Sequence, residues 1–483
     1  MKKSLLFYPL VIGVFALLIW FVIEKGKNLT LNNDKKNTTE LVAPTSSTAK
    51  PATFISNSNE SVGQQFLNNI KSPLSLLLLQ IIVILIVSRF FGTLFTKFGQ
   101  PSVIGEMFAG IFLGPSIMGL VSPDFSIFLF PKDSLKTLQF LSQIGLAFFM
   151  FIVGMELDIE KLKHKAKNAI VISHASIIFP FFLGVSLSYF IYEQFAPAGV
   201  PFMAFALFMG IAMSITAFPV LARIVQERGL TRTSLGTMVI TCAAADDVTA
   251  WCMLACVIAV VKAGSIVSAL FTIALAVIFV LIMLYVIRPY INKLSAKVVS
   301  SESLSKTAVA ISFFVLLLSA YFAEIIGIHA LFGAFLAGVI MPQNLKFKEL
   351  LAGKIEDISV LLLLPIFFAF TGLRTQIGLL NEGNLWTTCG VVILIAVLGK
   401  FGGSAMSAKM MGQSWKDSLS IGALMNTRGL MELVVLNIGY DLGILSPQIF
   451  AIMVLMALAT TFMTGPFLDL INYASKKSEV SLH

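Results

Sequence analysis

About fourteen apolar stretches follow one another along this chain, most of them near the ~20 residues that a helix needs to cross a ~30 Å hydrocarbon layer. A backbone in hydrocarbon must satisfy its own hydrogen bonds, so these stretches are expected to be helices. They cover residues 5–23, 74–95, 102–121, 138–155, 169–192, 201–225, 234–261, 266–287, 307–326, 329–341, 359–373, 385–408, 418–438 and 447–470. The expected class is an all-α polytopic membrane protein. Composition agrees: with 57% hydrophobic residues and only 12% charged, a water-soluble globule would expose large apolar patches, which excludes a soluble enzyme. The loops hold no Ser/His/Asp set and no metal-ligand cluster, and no cofactor is expected.

The net charge of +9 would point to nucleic acid in a soluble protein. Here the basic residues lie mostly in short loops, as the positive-inside rule describes, and no nucleic-acid partner is expected. With Lys2 and Lys3 in the cytoplasm, every second loop is cytoplasmic and carries the Lys and Arg: Lys161, Lys163, Lys165 and Lys167, for example, or Arg223, Arg228 and Arg232. Lys132, Lys136, Lys262 and Arg374 are exceptions in the opposite loops. Both termini are therefore expected in the cytoplasm. Cys242, Cys252, Cys256 and Cys389 lie inside apolar segments without a C-x-x-C pair and read as small apolar side chains.

Residues 1–25 read as an extra anchor rather than a signal peptide, because no A-x-A-like cleavage site follows closely. Residues 26–73 are rich in Asn, Ser, Thr and Lys and read as a flexible external loop, whose Asn28, Asn37 and Asn59 triplets arise readily by chance in such a tract. A transmembrane domain over 74–473 and a short cytoplasmic tail over 474–483 complete the expected organisation.

An internal repeat divides that domain into halves at about 74–262 and 306–470. The run Phe149-Met-Phe-Ile-Val-Gly-Met-Glu-Leu-Asp-Ile159 resembles Phe367-Phe-Ala-Phe-Thr-Gly-Leu-Arg-Thr-Gln-Ile377, with Gly154 aligned on Gly372. Ala109-Gly110 followed by Pro115 matches Ala337-Gly338 followed by Pro342. The matching helices are an odd number of crossings apart and so enter the membrane from opposite sides. That is the inverted repeat of secondary transporters, whose substrate site lies near the midplane where the halves meet.

Two segments at matching places in the halves are candidates for broken helices. One contains Ser214, Ile215, Thr216, Ala217, Phe218 and Pro219; the other contains Met425, Asn426, Thr427, Arg428, Gly429 and Leu430. Pro219 removes a backbone donor, and Gly429 permits non-helical dihedrals. Such breaks are tolerated at membrane depth only where they line a cavity or are buried by protein. The alternative for Pro219 is an ordinary kink.

Asp246 and Asp247 lie mid-way along the next apolar stretch, where one carboxylate costs roughly 2.5 kcal/mol or more, so the pair argues for an ion or proton site. About 100° of helical rotation separates them, which lets them border one cavity from two sides. Burial and mutual repulsion both disfavour the doubly ionised pair, so at least one is expected to hold a proton near physiological pH. A monovalent cation supplies the charge that lets a carboxylate ionise, and competition between cation and proton for one site couples their movements. Lys400 lies deep in its own apolar stretch and needs a carboxylate partner, with Asp246 the obvious candidate. The alternative is a structural ion pair. Arg428 and Glu432, four residues apart, are expected to form such a structural pair. His329 and Glu324 are expected near the surface, facing water or a helix end.

At these residues the chain resembles the monovalent cation:proton antiporter superfamily, closest to the branch of plant cation/proton exchangers and bacterial glutathione-gated potassium efflux carriers. The matching runs begin at Gly154, Thr216, Ala245, His329 and Met425, in family order within about 74–470. The resemblance implies a homodimer of thirteen core helices per chain, beside the one extra N-terminal helix. It also implies a six-helix core domain with two crossed broken helices, working by an elevator motion. On this sequence it makes Asp247 the principal cation and proton carboxylate, pairs Asp246 with Lys400 when no cation is bound, and gives Thr216 and nearby carbonyls to the ion, Na+ or K+. Asp246 stands where that branch usually has Asn or Gln. It matches instead the electrogenic bacterial sodium/proton antiporters and implies more than one proton per cation. No G-x-G-x-x-G region follows residue 470, so nucleotide or glutathione gating is not expected.

Two other functions are consistent with the same helices: a sodium-coupled symporter of an organic anion, which would show cation-dependent solute uptake, and a potassium efflux system. A cation channel is disfavoured by the fixed charge of Lys400. Without an Arg-rich amphipathic transit segment, the expected location is a bacterial inner membrane.

Overall fold

The computed structural model describes residues 2–26, 69–156, 166–230, 233–262, 266–298, 305–342, 344–381 and 383–480. Most of the polar loop, with its three Asn triplets, lies outside the described residues, as do Lys161, Lys163, Lys165 and Arg232. Among the described residues, eleven helical spans are long and apolar enough to cross a membrane, or twelve if one bent pair counts as a span. The expectation of thirteen core helices plus one requires two further helices, Lys2–Gly26 and the ten-residue Ala330–Val339.

The main helices in chain order are α1 (Lys2–Gly26), α2 (Pro73–Lys97), α3 (Ser102–Leu113), α4 (Leu135–Glu156), α5 (Ala166–Phe195), α6 (Phe202–Ser214), α7 (Phe218–Glu227), α8 (Ser234–Lys262) and α9 (Ile266–Ile282). The second half supplies α10 (Lys306–Ile326), α11 (Ala330–Val339), α12 (Leu345–Ile358), α13 (Leu364–Arg374), α14 (Leu385–Val397), α15 (Gly403–Met410), α16 (Trp415–Met425), α17 (Leu430–Asp441) and α18 (Pro447–Val480). Single π-helical turns join α12 to α13 (Ser359–Leu363) and α14 to α15 (Leu398–Gly402). The stretch read as a short crossing at 359–373 therefore belongs to a longer helical span, Lys346–Asn381, whose polar first half hid its length in the sequence.

The repeat read from glycines appears as packing. A Cβ on Gly110 of α3 would lie 3.0 Å from the Ala369 Cα of α13, and one on Gly372 would strike the Gly110 carbonyl. In the second such contact, a Cβ on Gly154 of α4 would lie 3.1 Å from the Gly338 Cα of α11, and one on Gly338 only 2.9 Å from the Gly154 Cα. Each half thus sends one helix onto the other half's counterpart, and both contacts need glycine because backbone meets backbone. Gly105 against α2 and Gly333 against α10 form a second matched pair, whose added Cβ atoms would strike the Phe91 and Ser319 carbonyls of the neighbouring helices.

The apolar core runs through α4 to α8, α11, α16, α17 and α18. By contrast α9 turns Leu270, Phe271, Val277 and Ile278 outward, and α2 exposes Leu78, Ile82 and Ile86. In a bilayer such faces meet lipid or another chain without penalty. Helix α1 lies on α5, with the Phe15 ring centroid 4.7 Å from that of Phe179 and 5.3 Å from that of Phe182.

Candidate functional site

Helix α6 stops at Ser214, Ile215 and Ala217 take extended dihedrals, and α7 begins at Phe218 with Pro219 in its first turn. The break therefore falls just before Pro219, where a missing N–H is harmless because the first turn leaves its donors unbonded anyway. An uninterrupted helix would bond the carbonyls of Ala212, Met213 and Ser214 to the next turn, and the break leaves them open. Two cations take them. The Arg428 guanidinium donates to Ala212 O at 3.0 Å and to Met213 O at 2.6 Å, and Lys400 Nζ donates to Ser214 O. Positive charge here also meets the negative end of the α6 dipole.

The second break runs from Asn426 to Gly429, between α16 and α17, which are bent by 42°. Gly429 adopts φ 158°, ψ −132°, a region that residues with a Cβ avoid, and a Cβ there would lie 3.0 Å from Val220. Helix α18 holds this segment. Thr461 Oγ1 accepts from the Arg428 N–H at 3.0 Å and lies 2.7 Å from the Arg428 carbonyl, and Thr427 and Thr464 share a hydroxyl bond of 3.2 Å. The two breaks touch: Ala217 N donates to Thr427 O at 3.1 Å, and Thr216 Oγ1 approaches Met425 O at 3.4 Å.

Asp246 and Asp247 stand on α8 directly behind the first break, and both are 0% exposed, as are Thr216, Lys400, Asn426, Arg428 and Glu432. Asp246 is saturated. Its Oδ1 accepts from Ser173 Oγ at 2.5 Å; its Oδ2 accepts from Ser176 Oγ at 2.7 Å, Thr216 Oγ1 at 2.7 Å and Lys400 Nζ at 3.1 Å. Lys400 occupies the π turn between α14 and α15, an irregularity common at functional positions. Next to it, Gly399 lets the turn approach α5, where a Cβ would lie 2.9 Å from Pro180 Cα. Pro180 in turn has no N–H for the Ser176 carbonyl one turn earlier, and that carbonyl accepts from Lys400 at 3.0 Å. Lys400 thus joins Asp246, a carbonyl freed by proline and a carbonyl freed by the helix break.

Asp247 is the opposite case. Neither carboxylate oxygen has a hydrogen-bond partner, although the Phe218 N–H at the start of α7 faces it outside normal bonding geometry. A helix N-terminus is electropositive and a C-terminus electronegative, so the break presents the positive end of α7 to this carboxylate and the negative end of α6 to Lys400 and Arg428. Other buried polar groups also lack partners, among them both side-chain atoms of Asn426 and the indole Nε1 of Trp251, one helical turn after Asp247.

The structure thus brings together Asp246, Thr216 and Lys400, with Ala217 in the extended segment between α6 and α7, and places Phe218 and Pro219 at the start of α7 beside Asp247. Asn426, Thr427, Arg428 and Gly429 form the second break. Arg428 and Glu432 approach to 3.3 Å, and Glu432 makes no hydrogen bond of normal geometry. At the surface, the exposed Glu324 accepts from Ala330 N at 2.8 Å and His329 Nδ1 from Leu331 N at 3.4 Å, so both close the start of α11. Ser173, Ser176, Thr461 and Thr464 were not singled out from the sequence. Paired hydroxyls three residues apart in otherwise apolar segments were the available signal. Among the described residues, no three His, Cys, Asp or Glu side chains gather as a metal cluster.

Comparison with known proteins places the chain. Residues 81–471 match the family model for the transmembrane sodium/hydrogen exchanger. The chain is 44% identical over 396 residues to Na(+)/H(+) antiporter NhaS4 of Synechocystis sp., covering 82% of this chain and 97% of that one. Cation/H(+) antiporter 17 of Arabidopsis thaliana is 41% identical over 400 residues, which cover 83% of this chain and 48% of that protein. K(+)/H(+) antiporter 1 of Saccharomyces cerevisiae is 34% identical over 411 residues, covering 83% and 47%. The chain spans about half the length of these plant and yeast relatives. The fold is shared with the sodium proton antiporter MjNhaP1 of Methanocaldococcus jannaschii at pH 8, with a TM-score of 0.59 at 13% identity, over 81% of this chain and 97% of that one.

Proposed function

The chain belongs to the sodium/hydrogen exchanger family and exchanges a monovalent cation for protons across a membrane, and we propose that Asp247 is the group over which they compete. The observation that carries this is the contrast inside the aspartate pair: Asp247 is wholly buried with both oxygens unpartnered, while Asp246 is saturated. A bare carboxylate in that setting is stable only when protonated or when a cation sits on it. The two states exclude one another, and an empty ionised site would cross the bilayer poorly.

Asp246 and Lys400 form the proposed second element. In the cation-free state, a protonated Asp247 beside the Asp246–Lys400 ion pair is neutral overall. A cation drawn between the two carboxylates competes with Lys400 for Asp246. If both Asp247 and the released ammonium give up a proton, two protons leave for one cation, and the exchange moves net charge. Thr216, whose hydroxyl touches Asp246, is the proposed neutral ligand for Na+ or K+. Crossed broken helices, an elevator motion of the bundle carrying them, a homodimer, a bacterial plasma membrane and cytoplasmic termini complete the reading.

The test is a proton-flux assay in proteoliposomes loaded to a pH gradient and challenged with Na+, K+ or Li+. Cation addition is expected to dissipate the gradient for the native protein and to leave it at the protein-free rate for Asp247→Asn. Antiport that persists in Asp247→Asn would refute this assignment.

A further inference from the structure

We infer that Asn426 is a ligand of the transported cation and a determinant of its selectivity, supplied by the second repeat to face the carboxylate supplied by the first. This inference rests on the assignment of Asp247 above and extends that site across the junction of the two breaks.

Asn426 is 0% exposed, and neither its Oδ1 nor its Nδ2 has a hydrogen-bond partner. A primary amide carries two donors and two acceptor sites, and a buried one with none of them paired is costly unless an ion, ligand or water satisfies it. The position of Asn426 narrows what that is. Its predecessor, Met425, offers its carbonyl 3.4 Å from Thr216 Oγ1, and the same hydroxyl lies 2.7 Å from Asp246 Oδ2. Its successor, Thr427, receives Ala217 N at 3.1 Å. Residues 425–427 are therefore stitched to residues 216 and 217, directly in front of the aspartates.

The orientation of the neighbouring side chain is also informative. Thr427 turns its hydroxyl to Thr464 of α18, at 3.2 Å. Asn426 closes α16 (φ −75°, ψ −2°), and unlike Thr427 its side chain finds no partner on α18. On another side α16 packs against α8, which carries Asp246 and Asp247. The unpartnered polar atoms of Asn426 and Asp247 lie on the two sides of one junction. A carboxylate oxygen and an amide oxygen are both hard donors of the kind that hold alkali cations. An uncharged oxygen adds coordination without adding a proton site, so it alters which ion fits and leaves proton stoichiometry alone.

The experiment compares Asn426→Ala and the isosteric Asn426→Asp with the native protein in the proteoliposome assay, with Asp247→Asn alongside. Loss of one oxygen ligand is expected to raise the cation KM of Asn426→Ala by about tenfold and to change its Na+/K+ preference, with kcat within about threefold of native. Asn426→Asp keeps an oxygen and is expected to restore the cation KM to the native value or below. The increment in Tm on adding the preferred cation to detergent-solubilised protein should fall in Asn426→Ala and return in Asn426→Asp. Should the alanine protein not fold, Asn426→Leu, of similar volume, takes the same measurements. An unchanged cation KM and an unchanged cation-dependent Tm increment in the apolar variant would overturn the inference, as would a loss of kcat alone. Transport that survives Asp247→Asn would instead overturn the assignment of the site.

Discussion

Asp246 and Asp247 are consecutive on α8 and equally buried, yet Asp246 accepts from three hydroxyls and an ammonium while Asp247 accepts from nothing. Helical rotation separates them by about 100°, which is enough to turn one toward α5 and the π turn and the other toward the first turn of α7.

The contrast predicts opposite effects on stability. Asp246→Asn removes one partner of a buried ion pair and leaves Lys400 uncompensated, at about 3 to 5 kcal/mol. Asp247→Asn replaces a buried carboxyl that no protein group hydrogen-bonds and that is already neutral without cation, and should leave stability unchanged or raised. Thermal unfolding in detergent without alkali cation checks this; a larger Tm loss for Asp247→Asn than for Asp246→Asn would contradict it. A Lys400→Met change added to Asp246→Asn should recover part of the loss.

Competition at Asp247 fixes the sign of the pH dependence. Where the cation-free site is protonated, each unit rise in pH should lower the cation KM about tenfold if one proton competes and about a hundredfold if two do. Flux measured over a pH series at saturating and subsaturating cation gives the slope. A cation KM that rises with pH would rule out competition. In Asp246→Asn the slope should fall to the one-proton value, and a membrane-potential dye should no longer respond to transport.

Arg428 is expected to matter more for folding than for ion binding. Replacing it with Met leaves Ala212 O and Met213 O without their donors and Glu432 without its counter-charge, at about 3 to 5 kcal/mol. Glu432 makes no hydrogen bond of normal geometry, so Glu432→Gln should be milder. Equal Tm losses in the two variants would argue against the capping role of the guanidinium.

The matched glycine contacts predict matched sensitivity. Gly338→Ala and Gly372→Ala each force a Cβ into facing backbone and should destabilise by about 1 to 3 kcal/mol. Gly390→Ala, in helix α14 with open space around its Cβ position, should be neutral or gain up to about 1 kcal/mol. Tm in detergent distinguishes the two classes, and a neutral Gly338→Ala would mean that the α4–α11 contact tolerates separation.

The sequence by itself determined the solvent, the class and the repeat. Apolar length sets membrane crossings because hydrocarbon accepts no unpaired backbone, and Gly110, Gly154, Gly338 and Gly372 were legible because close helix approach leaves no room for a side chain. Asp246, Asp247 and Lys400 stood out for a similar reason: charge at that depth is costly enough to need a purpose. What only the tertiary structure decided is which charge meets which group. Pro219 marked a break to within a few residues, but the capping of α6 by Lys400 and Arg428 joins residues far apart in the chain, and periodicity says nothing of that. Ser173, Ser176 and Thr461 looked like ordinary helix hydroxyls, because a hydroxyl that bonds a carboxylate and one that bonds its own backbone leave the same letter in the sequence. The difference between two adjacent aspartates, one enclosed by donors and one bare, arises from the order in which helices pack around α8, and that order is a property of the folded chain.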